Sequence, residues 1–272
     1  MKKNYQWMLG AILICAASVL ASCGNADVPA SGSKEPVIDN LAEKVIGKWM
    51  VDEKEGKPAL TNQKLVIDFK SATKVTVSVA LMGFWHNNDT FDYTINGNVI
   101  NCAAQLDEHT SSNIGVKVNA IDANKMYEDF SNTISIDGTE AIKIESKETL
   151  IRVTEDYSDA ILGLWEGHVT SEMGSEFDDG EDHRWEYKAD GTFRYYVKVD
   201  GEWQLSDNVL NEYFVDGVLL CTRWKEGGEG TVEGREWWEI ESIEGGVMKW
   251  KALRQKDDGT IYTATFHMTK VE

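Results

Sequence analysis

The stretch Trp185–Leu205, WEYKADGTFRYYVKVDGEWQL, decides the fold. Within it Trp185 and Tyr187, then Phe193, Tyr195 and Val197, then Trp203 and Leu205 recur at every other position. A period of two belongs to extended chain, whose successive side chains point to opposite faces. Asp190-Gly191 and Asp200-Gly201 cut the stretch into strands, because Asp-Gly pairs accept the positive φ angles of tight hairpins. On this reading Trp203 and Leu205 share the apolar face of Tyr195, while Arg194 and Lys198 take the other face. Asp216-Gly217, Gly245-Gly246 and Asp258-Gly259 continue the punctuation. Roughly eight hairpin-linked strands in about 110 residues predict an up-and-down antiparallel β-barrel, whose closure removes exposed edges. A two-layer sandwich is the rival, but its Greek-key crossings need longer connections than these.

The pattern occurs twice. Asn40-Leu-Ala-Glu43 predicts a short capped helical turn ended by Gly47 before Lys48-Trp49. Ser158–Leu162 predicts another, ended by Gly163 before Leu164-Trp165 and displaced by 116 residues. Phe69–Thr73 answers to Tyr187–Gly191, Tyr93–Gly97 to Tyr213–Gly217, Cys102 to Cys221, and Leu150–Val153 to Met268–Val271. The expectation is an all-β chain of two tandem barrels, residues 39–155 and 156–272, each preceded by a short helical turn. Cys102 and Cys221, one per copy, are expected to be small buried hydrophobes rather than a disulfide pair.

Gly47-Lys48-Trp49 and Gly163-Leu164-Trp165 resemble the G-x-W that opens the first strand of lipocalin barrels. The whole chain resembles the bacterial lipocalin-like lipoproteins, with two such domains in tandem. The resemblance implies that Trp49 and Trp165 plug the closed barrel ends, with Arg152 and Lys270 packed across them as cations over indole faces. Lys270 stands where the family pattern has Arg, and the disulfides of many secreted lipocalins are missing.

The chain opens with Lys2-Lys3, an apolar run from Trp7 to Leu20, and Leu20-Ala21-Ser22-Cys23. A basic start, a short apolar stretch and small residues make a secretory signal over residues 1–22. The final four residues resemble a bacterial lipobox, which implies that Cys23 is diacylated and begins the mature chain. Residues 23–38 then read as the lipidated Cys and a flexible tether. The expected place is the Gram-negative envelope, lipid-anchored in the outer membrane, with the lipid as the sole membrane attachment.

Net charge is −19 over 272 residues, a sign that repels nucleic acid and excludes it as a partner. Catalysis is not expected: the five histidines are scattered, and no H-E-x-x-H or G-x-S-x-G motif occurs. Neither a cofactor nor a metal site is read. The acidic loop Glu172–Asp182 lacks the spacing of a calcium loop and reads as a solvated surface.

Of the ten tryptophans, seven fall in residues 156–272. Such rings either fill a barrel or line a cavity for an apolar or planar ligand. Trp185, Tyr195, Trp203 and Tyr213 are the candidate walls of that cavity, with Arg223 and Arg254 placed to meet a ligand carboxylate. Trp237-Trp238 cannot both face inward from a regular strand, so one is expected at the surface or a rim. Two functions follow: a binding module for a small hydrophobic or amphipathic ligand in the second barrel, or an interaction protein with solid barrels that docks an unknown envelope partner.

Overall fold

A computed structural model describes residues 37–78, 85, 90–105, 108–171 and 182–271. The proposed signal, Cys23, most of the tether and nearly all of the acidic loop 172–182 lie outside these residues. The described chain is almost entirely strand. After the short helix α1 (Leu41–Lys44) come β1 (Gly47–Lys54), β2 (Lys57–Pro58), β3 (Val66–Ser71), β4 (Lys74–Ser78), β5 (Thr90–Asn96), β6 (Val99–Gln105), β7 (Thr110–Ile121), β8 (Lys125–Ile136) and β9 (Thr139–Val153). The second series is β10 (Gly163–Ser171), β11 (His183–Tyr187), β12 (Phe193–Val199), β13 (Glu202–Leu205), β14 (Leu210–Asp216), β15 (Leu219–Lys225), β16 (Gly234–Glu244), β17 (Val247–Gln255) and β18 (Ile261–Val271).

In the first sheet the order is β2-β1-β3-β4-β5-β6-β7-β8-β9, and β1 also pairs with β9. That last pairing closes eight antiparallel strands into a barrel. The second order is β13-β12-β11-β10-β18-β17-β16-β15-β14, a curled sheet with β13 and β14 at its edges. Its closure differs for a local reason. In the first sheet β4 meets β5 over three pairs, Lys74↔Asp92, Val75↔Phe91 and Thr76↔Thr90. In the second sheet Asp200-Gly201 turns the chain into the extra strand β13, which occupies the edge of β12 from Tyr196 to Val199. Among the described residues β12 and β14 then form no ladder, and the isolated bridge Thr192↔Glu212, just ahead of β12, is the strand pairing at this seam.

One tyrosine guards each seam. Tyr93 N–H donates to the Thr73 carbonyl at 3.0 Å, and Tyr213 N–H to the Gly191 carbonyl at 2.8 Å. Each phenol reaches back to a carbonyl on the neighbouring strand end, Ser71 or Lys188, at 2.7 Å. Both series also carry a β-bulge at the matching place, between Val118 and Ala120 in β7 and between Ile240 and Ser242 in β16. Bulges increase local twist, which helps a sheet curl.

The helical turns differ in detail from expectation. Asn40 makes no side-chain cap; its backbone is left-handed, with φ 55°, and α1 is held by backbone bonds. The second turn is a single loop in which Ile161 N–H donates to the Tyr157 carbonyl at 3.0 Å.

By compactness the chain forms two units. One holds the described residues up to Gly47 with Ile67–Leu150, and the other holds Lys48–Val66 with Ile151–Glu272. Residues 48–66 are fixed within the second unit by polar contacts. Lys48 Nζ donates to Asp216 at 2.7 Å and Asp156 at 2.9 Å, and these bonds outweigh burial to hold its pKa above the ordinary value. Lys64, buried to 6 % exposure, pairs with Glu239 at 2.7 Å. Leu253 N–H donates to the Thr61 hydroxyl at 2.7 Å.

The cysteines are free thiols, Cys221 buried and Cys102 half-buried. They do not occupy the same point of the repeat. Tyr93 pairs across its hairpin with Cys102, whereas Tyr213 pairs with Thr222. Cys221 is therefore one residue out of step and on the opposite face, since one position along a strand reverses the side-chain direction.

Candidate functional site

Both G-x-W motifs begin with a glycine at positive φ, 113° at Gly47 and 122° at Gly163. This left-handed entry suits glycine, and at Gly163 a Cβ would also sit 2.8 Å from Lys270 Cε. Trp49 and Trp165 are fully buried. The Arg152 guanidinium lies 4.1 Å from the Trp49 ring centre, and Lys270 Nζ lies 5.3 Å from that of Trp165. Burial lowers the Arg152 pKa below its ordinary value. Trp165 also donates its indole N–H to the Ile161 carbonyl at 2.6 Å, tying the second turn to its strand.

The inward face of the second sheet is filled with rings. Trp185 lies 5.1 Å from Phe266 and 5.9 Å from Trp250, and Trp238 lies 5.0 Å from Phe266, all edge to face. Such geometry is favourable for aromatic pairs. Ala252 and Ala264 face each other across β17 and β18, leaving room for large rings beside them. Tyr195 stands 5.3 Å from Trp185, and its hydroxyl meets His183 Nδ1 at 3.1 Å. Tyr213 packs on Tyr187 at 4.8 Å, and burial pushes its phenol up to about 12. Tyr187, more deeply buried, is raised well above its ordinary value.

The six candidate ligand residues therefore divide. Trp185, Tyr195, Tyr213 and Arg254 belong to the inward set. Arg254 lies 4.5 Å over the Trp238 ring and 3.5 Å from Glu236, which accepts the Trp238 indole N–H at 3.1 Å. Trp203 does not join them. It pairs directly with Lys198, and both Lys198 and Arg184 lie over its ring, at 5.3 and 4.5 Å. Trp203 thus belongs to the face of Lys198, contrary to the alternation read across the turn. Arg223 is also on the outer face, paired opposite Arg235 and held by Glu212 at 2.9 Å from Nε.

A separate cleft of about 330 Å³ opens where the ends of β16, β17 and β18 meet the turn at Leu60–Asn62. Its walls include Trp237, Tyr262, Arg235, Arg254 and Gln255. Sequence reasoning placed one of Trp237 and Trp238 at a surface or rim; Trp238 is buried and Trp237 lines this cleft. The contribution of residues 60–64 was not foreseen, because nothing local in Thr61 or Lys64 signals a partner 175 or more residues away. Among the described residues, no group of three His, Cys, Asp or Glu is arranged to hold a metal ion. Asp182, the described end of the acidic loop, pairs with Lys198 at 3.5 Å.

No protein-family model matches the chain. No curated protein matches it either. Among solved structures, it is similar to a protein of unknown function from the DUF3598 family of Nostoc punctiforme, at 9 % identity and TM-score 0.24, over 86 % of this chain and all of that one. It is also similar to a variant of transferrin-binding protein B from Haemophilus parasuis, at 10 % identity and TM-score 0.27, over 83 % of this chain and 76 % of that one. A putative AttH from Nitrosomonas europaea matches at 12 % identity and TM-score 0.24, over 89 % and 99 % of the two chains.

Proposed function

We propose that this chain is a non-enzymatic, lipocalin-like binding lipoprotein of the Gram-negative envelope, tethered through Cys23, that recognises its target with outer surfaces rather than a barrel interior. One observation carries the reading: the inward face of the second sheet is occupied by its own rings, with Trp250 buried among Trp185, Tyr187, Trp238 and Phe266. A small apolar ligand would have to displace these contacts, each worth about 0.5–1.5 kcal/mol beyond its buried area. A target on the outer surface displaces only water.

The interior-ligand reading has a specific observation in its favour, the shared inward face of Trp185, Tyr195 and Arg254. One titration separates the two readings. Full-length protein in detergent is titrated with a fatty acid and with a planar hydrophobic dye while Trp fluorescence is followed. No saturable quenching supports outer-surface recognition. Saturable quenching that Trp185→Ala weakens, while leaving the unfolding midpoint within a few degrees, overturns it in favour of the interior. The tether is tested by fractionation: Cys23→Ala releases the protein from membranes, and continued detergent-sensitive membrane association refutes lipidation at Cys23.

A further inference from the structure

The histidines are scattered along the chain, but the sheet register sets two of them side by side. His168 on β10 pairs directly with His267 on β18, with ring centres 6.3 Å apart and planes inclined by 35°. Their neighbours fix the direction in which they point. Val169, Phe266 and Met268 are buried on the inward face, so His168 and His267 project outward, and both are exposed. Side chains directly opposite each other on antiparallel strands start about 4.5–5.5 Å apart at Cβ, within reach of one shared ligand.

The fold holds this pair in place. β10 and β18 run through the middle of the sheet, joined over eight residue pairs from Leu164↔Val271 to Ser171↔Ala264. Gly167, next to His168, lets the strands approach closely: a Cβ there would collide with the His267 carbonyl oxygen. The nearby cations are already neutralised. Lys249, which faces His267 from β17, bonds to Glu241 at 2.7 Å, and Arg184 on β11 donates from Nε to Glu166 at 3.1 Å. Among the described residues neither His168 nor His267 has a hydrogen-bond or ion-pair partner, so a neutral ring at either position keeps a nitrogen lone pair to offer.

We propose that His168 and His267 form a two-ligand site for a first-row transition-metal dication, Zn²⁺, Ni²⁺ or Cu²⁺, on the outer face of the second sheet. Imidazole nitrogen suits these borderline ions, whereas Mg²⁺ and Ca²⁺ demand oxygen donors. Metal–nitrogen bonds are about 2.0–2.1 Å long, and two of them at a tetrahedral angle bring the ring centres slightly inside 6.3 Å. Side-chain rotation on an exposed surface supplies that shift without moving the backbone. Two ligands fall short of a closed structural site, so the remaining positions are open to water or to a donor brought by another molecule. The net charge of −19 favours the approach of a cation. A bound ion also staples the first strand of the second series to its last. The inference stands on the β10–β18 register and is independent of the function proposed above.

Full-length protein in detergent is titrated calorimetrically with Zn²⁺, Ni²⁺ and Cu²⁺, with Mg²⁺ and Ca²⁺ as competitors. A saturable site is expected for the transition metals, tightest for Cu²⁺, from which Mg²⁺ and Ca²⁺ do not displace them. Removing even a supporting residue costs metal sites about 10–100-fold in affinity, so His168→Asn and His267→Asn are each expected to weaken this site at least tenfold. His109→Asn, at the surface between Glu108 and Asp137, is expected to leave it unchanged. Both substituted rings of the pair are exposed, and unchanged circular dichroism checks the fold of each variant. Electron paramagnetic resonance of the Cu²⁺ form is expected to show coupling to two ring nitrogens, and to one in either variant. No saturable transition-metal binding, binding indifferent to both substitutions, displacement by Mg²⁺ or Ca²⁺, or a Cu²⁺ spectrum without nitrogen coupling overturns the inference.

Discussion

Tyr213→Phe tests how the second sheet stays curled. The substitution removes one hydroxyl and keeps the ring, so the contact with Tyr187 at 4.8 Å survives and only the bond to the Lys188 carbonyl at 2.7 Å is lost. A net loss of about 1 kcal/mol is expected for such a bond, and more where the carbonyl is left dry. What matters is where the loss falls. Besides that phenol, the seam between β12 and β14 has the bridge Thr192↔Glu212 and the Tyr213 N–H bond to Gly191. The equivalent Tyr93→Phe removes the same kind of bond beside a ladder of three pairs. Amide exchange by local opening scales with local free energy, so about 1 kcal/mol accelerates exchange about fivefold. Hydrogen exchange read by mass spectrometry is expected to show that acceleration in residues 191–196 and 210–216 of Tyr213→Phe. The corresponding segments of Tyr93→Phe should change less than about twofold, because the neighbouring ladder resists opening. Equal acceleration in both variants, or none in either, refutes the account of the seam.

Lys64→Ala leaves Glu239 without its 2.7 Å partner, and unfolding in urea is expected to show a loss of about 3 kcal/mol. Lys64→Met combined with Glu239→Gln is expected to recover most of that, and failure to recover any would show that packing rather than charge fixes the segment. The phenol of Tyr213 is raised from its ordinary value of 10.0 to about 12, so its contribution to stability is complete below pH 10 and is lost as pH rises toward 12. Alkaline denaturation followed by near-ultraviolet circular dichroism should therefore steepen above pH 10 and become shallower in Tyr213→Phe; an unchanged profile refutes the assignment.

The strands were legible because period-two apolar runs and Asp-Gly turns are local signals, and Trp185 with Tyr195 emerged as direct cross-strand partners. What misled was parity across turns. Asp200-Gly201 makes a two-residue loop, so Val199 pairs with Glu202 and Lys198 with Trp203. Across such a loop, residues of opposite parity share a face, and continuing the alternation unbroken put Trp203 on the wrong one. The same rule places Cys221 and Arg223 on the face opposite Tyr213, because Tyr213 pairs with Thr222. The extra strand β13 was read as one more member of a closed barrel, although its cost to the neighbouring seam depends on a pairing no short window contains. The Trp237 cleft was half legible: the double tryptophan announced a surface ring, but the wall facing it comes from residues distant in sequence.

The second unit also imposes an order on biogenesis. Lys48 and Lys64 are synthesised 168 and 175 residues ahead of Asp216 and Glu239, the carboxylates that neutralise them. A chain that emerges amino end first must hold these ammonium groups in water until β14 and β16 arrive. A nascent or clipped chain lacking those strands would therefore keep an unfinished, wettable loop where the intact protein has a sealed one. Quality-control proteases would have a ready way to tell the two apart.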